Sequence, residues 1–172
     1  MITIRFARET DLPEILDIYN HVILNTTAVY TYEPHTLGMR KAWYDDKVRD
    51  GYPVFVAEEA GRVVGLSTYG PFRAWPAYKY TVENSVYVAA DQRGRGVARL
   101  LMNPLIDAAR AHEYHAIIAS IDAANEASLR LHRSLGFEEV AHFREVGYKF
   151  GRWLDLKFLE LILGTPVSPV EG

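Results

Sequence analysis

The chain has 172 residues, 49% hydrophobic and 24% charged, with a formal net charge of −3, a composition that fits one globular domain and excludes a disordered or disulfide-stapled chain. Lys and Arg are scattered, so no basic face points to nucleic acid, and the absence of cysteine excludes disulfides, a thiolate metal site and a Cys nucleophile. No apolar run approaches the ~18 residues of a membrane span, and nothing at the N-terminus resembles a signal peptide; the chain reads as cytoplasmic, with no membrane partner.

In chain order, Met1–Ala7 alternates apolar and polar residues like a half-buried strand. Asp11 with Glu14 three positions later offers a capped helix start, and Leu12, Ile15, Leu16, Tyr19, Val22 and Ile23 supply the apolar stripe. A second helix is expected over Leu37–Arg49, anchored by Trp43. Val54–Glu58 and Val63–Tyr69 read as strands joined by a tight turn at Glu59–Arg62, where Gly61 can supply a positive φ. Tyr80–Val88 is a further strand. A glycine-rich turn then leads to a helix over Val97–Ala111, with Pro104 inside it expected to introduce a kink. Ala116–Ile121 is a continuous apolar run, and a helix over Ala127–Leu135 ends at Gly136. Phe137–Ala141 and Leu154–Leu163 complete the strands. The order βα(α)βββαβαββ predicts a mixed α/β fold, a sheet covered by helices, forming one domain over residues 1–163 with a frayed tail at 164–172.

The segment Val86-Tyr-Val-Ala-Ala-Asp-Gln-Arg-Gly-Arg-Gly-Val-Ala98 runs from a strand into a helix start. N–H groups there lack intrahelical partners and the helix dipole adds positive charge, which favours an anion. Gly94 and Gly96 allow close approach of a phosphate, and Arg93 and Arg95 add charge. There is no third glycine of a dinucleotide fingerprint and no Gly-Lys-Ser/Thr of a Walker loop. A plain glycine turn with solvated arginines is the competing reading.

Gln92-Arg-Gly-Arg-Gly-Val-Ala98 resembles the acetyl-CoA pyrophosphate loop of the GNAT superfamily of N-acetyltransferases, and Asn125-Glu-Ala-Ser128-Leu-Arg-Leu-His132-Arg-Ser-Leu-Gly136-Phe137 resembles a second segment of that superfamily, in the right order. The resemblance covers roughly residues 2–163. It implies a mostly antiparallel sheet whose central strands part to admit the pantetheine arm. It further implies that the backbone of Val86, Tyr87 and Val88 bonds that arm and that Arg93, Gly94, Arg95, Gly96, Val97, Ala98 and Arg99 hold the pyrophosphate. Asn125 and Ser128 would contact the cofactor. Ile18-Tyr-Asn20, Gly70-Pro-Phe-Arg-Ala74, Thr81-Val-Glu83-Asn-Ser85-Val-Tyr87-Val and Gly147-Tyr-Lys-Phe-Gly-Arg-Trp-Leu-Asp155 are similar to the phosphinothricin and methionine sulfoximine acetyltransferase branch. That branch is usually dimeric. By the same resemblance Glu83 is the catalytic base, and Arg73, Ala74, Trp75, Glu83, Asn84 and Ser85 line an amino-acid site. Asn84, Pro71-Phe72, Tyr30 and Tyr32 depart from the branch pattern at the substrate end.

Acetylating an amine requires the neutral amine, so a base must take a proton from an ammonium ion; Glu83, next to Val82 in a central strand, is expected in a low-dielectric cleft. Most of the superfamily carries Tyr where this chain has His132. His132 can serve as acid or assist as base, or it is a helix histidine facing solvent between Arg130 and Arg133. Arg73 amid Tyr69, Phe72, Trp75, Tyr78 and Tyr80 suits a carboxylate clamp for a small zwitterion, or an arginine snorkelling from an aromatic corner. Lys149, Arg152, Trp153 and Asp155 read as bracing the site or a subunit interface. His112-x-x-His115 lacks metal-ligand spacing, so no metal is expected. Acceptors such as polyamines, aminoglycosides or a protein N-terminus, and a module that binds acetyl-CoA without turnover, are the alternatives to an amino-acid acetyltransferase.

Overall fold

The computed structural model describes residues 1–171. They form two compact units, residues 1–69 with 85–105 and residues 70–84 with the described residues from 106 onward. In chain order the elements are β1 (Ile2–Phe6), α1 (Leu12–Asn25), α2 (Leu37–Arg49), β2 (Val54–Glu59), β3 (Arg62–Pro71), β4 (Thr81–Val88), α3 (Val97–Ala111), β5 (Ala116–Asp122), α4 (Glu126–Ser134), β6 (Glu138–Lys149) and β7 (Arg152–Ile162). This is the expected order, and the α2 and α3 limits coincide with the expected ones; α3 is assigned continuously through Pro104.

In the first unit β1 pairs antiparallel with β2, and β2 with β3. The β2–β3 turn takes positive φ at Ala60 (52°) and Gly61 (79°), a pair of left-handed residues that matches strand twist. Leu12, Ile15 and Ile18 of α1 pack with Val56, Val63 and Leu66, and Trp43 and Tyr44 of α2 close over them. The buried stripe uses Ile18, while Leu16 and Tyr19 are only half-buried. The capping box foreseen at the start of α1 does not form. The Asp11 side chain caps nothing in α1. Its carboxylate accepts Arg5 Nη1 at 2.7 Å, Arg5 Nη2 at 2.9 Å and the Arg8 N–H at 2.7 Å. Glu14 accepts the Val63 N–H at 3.0 Å. Both carboxylates are drawn into tertiary bonds because each is half-buried or more, where an unmet charge costs more than a helix cap returns.

In the second unit β4 and β5 run parallel over Thr81↔Ala116 to Glu83↔Ile118, whereas β5–β7 and β6–β7 are antiparallel. The sheet pairings are thus mixed and mostly antiparallel, as expected. Strand β6 runs much further than the expected Phe137–Ala141. It forms a long hairpin with β7, turned by Phe150 (φ 52°) and Gly151 (φ 74°) and bulged between Phe143 and Gly147. The stretch beyond Ala141 was illegible because most of its residues are exposed, so no apolar alternation marks it. Gly136 takes φ 93° just past α4, the expected C-terminal glycine. Beyond β7, the Val170 N–H donates to the Tyr80 hydroxyl at 3.0 Å.

Arg5 also donates to Glu58 through Nε at 2.8 Å, so one guanidinium joins β1, β2 and the start of α1. Its bonds hold the Asp11 carboxyl below the usual carboxylate range. A depressed folded pKa means that this stabilisation is present above the unfolded pKa near 4 and lost as pH falls through the folded value. Arg5→Met should therefore lower the unfolding free energy by about 2–4 kcal/mol at pH 7, somewhat less than loss of a fully buried pair. In urea titrations, the difference between wild type and Asp11→Asn should shrink as pH is lowered below about 4.

Candidate active site

The first unit carries the glycine-rich loop expected to cradle an anion. After β4, a short turn at Ala90–Gln92 leads through Arg93–Gly96 into α3. Gly94 (φ 75°) and Gly96 (φ 79°) lie in the left-handed region, and a Cβ on either would point into open space. The backbone thus presents itself bare at the head of a 15-residue helix, whose first N–H groups have no carbonyl a turn earlier. Val97 and Leu101 are fully buried and fix the helix beneath. Gly65 is forced by close approach, because a Cβ there would stand 3.0 Å from the Tyr87 carbonyl oxygen.

Two ion pairs that sequence reading missed tie the β2–β3 turn to this loop. Arg95 reaches Glu59 at 2.8 and 2.9 Å, with Gln92 on its other side. Arg62 reaches Asp91 at 2.7 and 3.2 Å and holds that carboxyl at about 2. Arg95 therefore braces the loop through Glu59, while Arg93 and Arg99 lie exposed beside it. Glu59 and Arg62 flank the turn already legible at Ala60–Gly61, and that position was the available clue.

A second missed residue is Arg40, 3% exposed, its guanidinium 3.9 Å from the Tyr19 ring centre and 4.5 Å from that of Trp43. One of its nitrogens lies 2.8 Å from His35 Nδ1. His35 is held in turn by Asn20, whose side-chain amide bonds the His35 N–H and carbonyl at 2.8 and 2.9 Å. Tyr19 meets Tyr87 edge to face at 5.4 Å. Burial lowers the Arg40 pKa, and the side chains of Tyr19 and Tyr87 offset part of that shift.

The second unit holds Glu83 half-buried on β4 and, beside it, Asn84, which is buried. Asn84 Nδ2 lies 3.0 Å from His132 Nε2, and His132 Nδ1 lies 2.9 Å from the Ser128 carbonyl oxygen and 3.4 Å from Ser128 Oγ. The reading of His132 as a solvent-facing helix residue is overturned: it is 2% exposed and its ring packs edge-on against Phe137 at 5.0 Å. Burial depresses its pKa, partly offset by the bond to Ser128. The Asn125 side-chain oxygen accepts the Ser128 N–H at 3.2 Å and caps α4.

Arg73 is exposed, stacked 4.2 Å over the Phe72 ring and donating to the Phe72 carbonyl at 2.9 Å. Ala74 and Trp75 are exposed with it. The aromatic residues around Arg73 do not form one corner: Phe72 meets Tyr78 and Phe158, while Tyr69 belongs to the first unit's core and meets Tyr52. Ser85 is half-buried in the first unit. Asp155 accepts from the Glu145 N–H at 2.9 Å and lies 2.8 Å from His142 Nε2, bracing the β6–β7 bulge. His112 and His115 are exposed at the end of α3, and no group able to hold a metal occurs among the described residues.

The family described as acetyltransferase (GNAT) domain matches residues 4–157. An L-methionine sulfoximine/L-methionine sulfone acetyltransferase of Pseudomonas aeruginosa is 48% identical over 162 residues, 94% of each chain. An acetyltransferase of Salmonella typhimurium, solved with its cofactor acetyl-CoA, superposes with a TM-score of 0.95 at 44% identity, covering 98% of both chains. A phosphinothricin acetyltransferase of Sinorhizobium meliloti in complex with acetyl-CoA gives a TM-score of 0.95 at 34% identity, covering 99% of this chain and 94% of that one.

The bare cradle makes a direct prediction. Gly96→Ala adds a Cβ where the backbone is left-handed and where an anion would approach, at a cost of about 1–2 kcal/mol. The dissociation constant for acetyl-CoA, measured by calorimetry, should rise about tenfold or more, and the melting temperature should fall by about 2–8 °C.

Proposed function

We propose that this chain, which belongs to the GNAT acetyltransferases and is an acetyl-CoA-dependent N-acetyltransferase, acetylates the α-amino group of a small amino-acid-like substrate. The substrate class is that of methionine sulfoximine, methionine sulfone and phosphinothricin. The observation that carries this reading is the open, left-handed Gly94–Gly96 backbone at the head of α3, on the same stretch of chain that begins with Glu83.

Acetyl-CoA supplies the activated acetyl thioester. The backbone of Val86–Val88 bonds the pantetheine arm, and residues Arg93–Arg99 cradle the pyrophosphate with the α3 dipole behind them. Asn125 and Ser128 complete the cofactor contacts from α4. Glu83 accepts a proton from the substrate ammonium, so that the amine attacks in its neutral form. The Val86 N–H would serve the developing oxyanion, and its collapse would break the thioester C–S bond, the departing CoA thiolate taking up the remaining proton of the attacking nitrogen to leave amide and free thiol. No cysteine is present, so transfer is direct, within a ternary complex. Arg73, exposed on the Phe72 ring with Nη1 bonded to the Phe72 carbonyl, offers Nε and Nη2 to the substrate carboxylate for two parallel bonds, and Ala74, Trp75, Asn84 and Ser85 shape the remainder of that site. Residues 1–163 act as one catalytic domain, and the enzyme works in the cytoplasm.

Free-thiol release from acetyl-CoA should saturate with methionine sulfoximine, methionine sulfone or phosphinothricin, and be weak with polyamines and peptides. Release with polyamines or peptides alone would overturn the substrate class. Glu83→Gln should lower turnover by ~10²–10⁴-fold while acetyl-CoA binding survives; undiminished turnover would remove Glu83 as the base.

The protein acts as a homodimer through the β6–β7 hairpin. Strand β6 is the last in the strand order, and the hairpin exposes Val140, Val146, Phe150 and Trp153, each by more than half. A long edge strand with exposed Val140 and Val146, joined to exposed Phe150 and Trp153, invites a second copy of itself. Sedimentation should give twice the chain mass, and Trp153→Glu with Phe150→Glu should return it to one; a monomeric wild type at micromolar concentration would refute the dimer.

A further inference from the structure

The bond between Asn84 and His132 determines what the histidine can do. A carbonyl oxygen only accepts, so the 2.9 Å approach of Nδ1 to the Ser128 oxygen requires the hydrogen on Nδ1. A neutral imidazole then has a single lone pair, on Nε2, and the Asn84 amide nitrogen stands 3.0 Å from it as donor. The reverse arrangement, with the amide oxygen turned to a protonated Nε2, would set the Nδ1 lone pair against an oxygen lone pair at 2.9 Å. Both ring nitrogens are therefore in use. The ring is 2% exposed and packs edge-on against Phe137.

We infer that His132 is a positioning residue: as a neutral imidazole protonated on Nδ1, it clamps Asn84 of β4 to α4 and thereby orients Glu83. Successive side chains of a strand point to opposite faces, so fixing Asn84 on the α4 side turns Glu83 to the other face. A slip of one residue would exchange the two. The β4–β5 ladder ends at Glu83↔Ile118, immediately before Asn84, so the clamp takes over where that pairing stops. To give up a proton His132 would have to break its bond to Ser128; to gain one it would have to lose the Asn84 donor and carry charge in a buried site. Neither role fits the arrangement. This inference rests on the reading of Glu83 as base.

Nitrogen-15 NMR of the histidine-labelled full chain tests the tautomer independently of activity. One imidazole, identified by its loss in His132→Gln, should show a protonated Nδ1 and a bare Nε2, unchanged from pH 6 to pH 8. A protonated Nε2, or a ring that titrates in that range, would overturn the inference. Activity supplies the second arm. His132→Gln places a side-chain carbonyl where Nε2 accepted, so kcat should fall by about tenfold or less and both limbs of its pH profile should persist. His132→Leu, which leaves Asn84 without that acceptor, should fall further. A His132→Gln enzyme that loses its alkaline limb and ~10²–10⁴ in kcat would make His132 the proton donor and refute the positioning role. A wild type without acetyl transfer would instead remove the reading of Glu83, and the NMR arm would still decide the tautomer.

Discussion

A β-strand must show successive side chains to opposite faces, and the functional half of this molecule depends on how β4 uses that constraint. Asn84 is committed to α4 through His132, so Glu83 is committed to the other face. The bond involves no charged partner, since a neutral imidazole meets an amide. That suits its burial, because an ion in the same place would have to be compensated in a low dielectric. The rigidity comes from a helix that is itself well terminated, with Asn125 capping one end of α4 and Gly136 turning the chain at the other.

The anion cradle follows a different logic. Its conformation belongs to glycine, but glycine is permissive and does not hold a loop still. Stillness comes from outside, through Glu59 to Arg95 and Arg62 to Asp91, both reaching from the β2–β3 turn. These pairs are exposed, so they contribute little to overall stability. Their value is geometric: two bidentate contacts fix the loop while its N–H groups stay available. Because Arg95 is paired with Glu59, the proposed hold on an anion rests chiefly on the backbone and the helix dipole, which suits a protein whose net charge is −3.

Arg40 shows a third way of placing polar chemistry inside a fold. Its guanidinium is flanked by the rings of Tyr19 and Trp43, and its bond to His35 reaches the segment that Asn20 pins in front of α2. One buried cation thus joins α1, α2 and, through Tyr19, the Tyr87 ring of β4. Flat aromatic faces and a flat guanidinium stack with little loss of rotamer freedom, which makes this junction economical to form.

What was legible in the sequence is what neighbours in the chain decide. The limits of α2 and α3, the left-handed turn at Gly61, the glycine after α4 and the bare strand–turn–helix at Gly94–Gly96 each follow from propensities and dihedral preferences within a few residues. The family resemblance followed from the same short segments. What the sequence could not disclose lies at long separation. Asp11 and Glu14 looked like a helix cap and became tertiary acceptors for Arg5 and Val63. Arg40 carried no signal in the sequence and is buried. His132 stood between two arginines, as an exposed residue would, and is sealed against β4 by an asparagine 48 residues away. The length of the β6–β7 hairpin beyond Ala141 was hidden because its register is set by backbone pairing and not by an apolar pattern. Local dihedral chemistry is written in adjacent residues, whereas the burial of a polar group depends on a partner that only the folded chain brings within 3 Å.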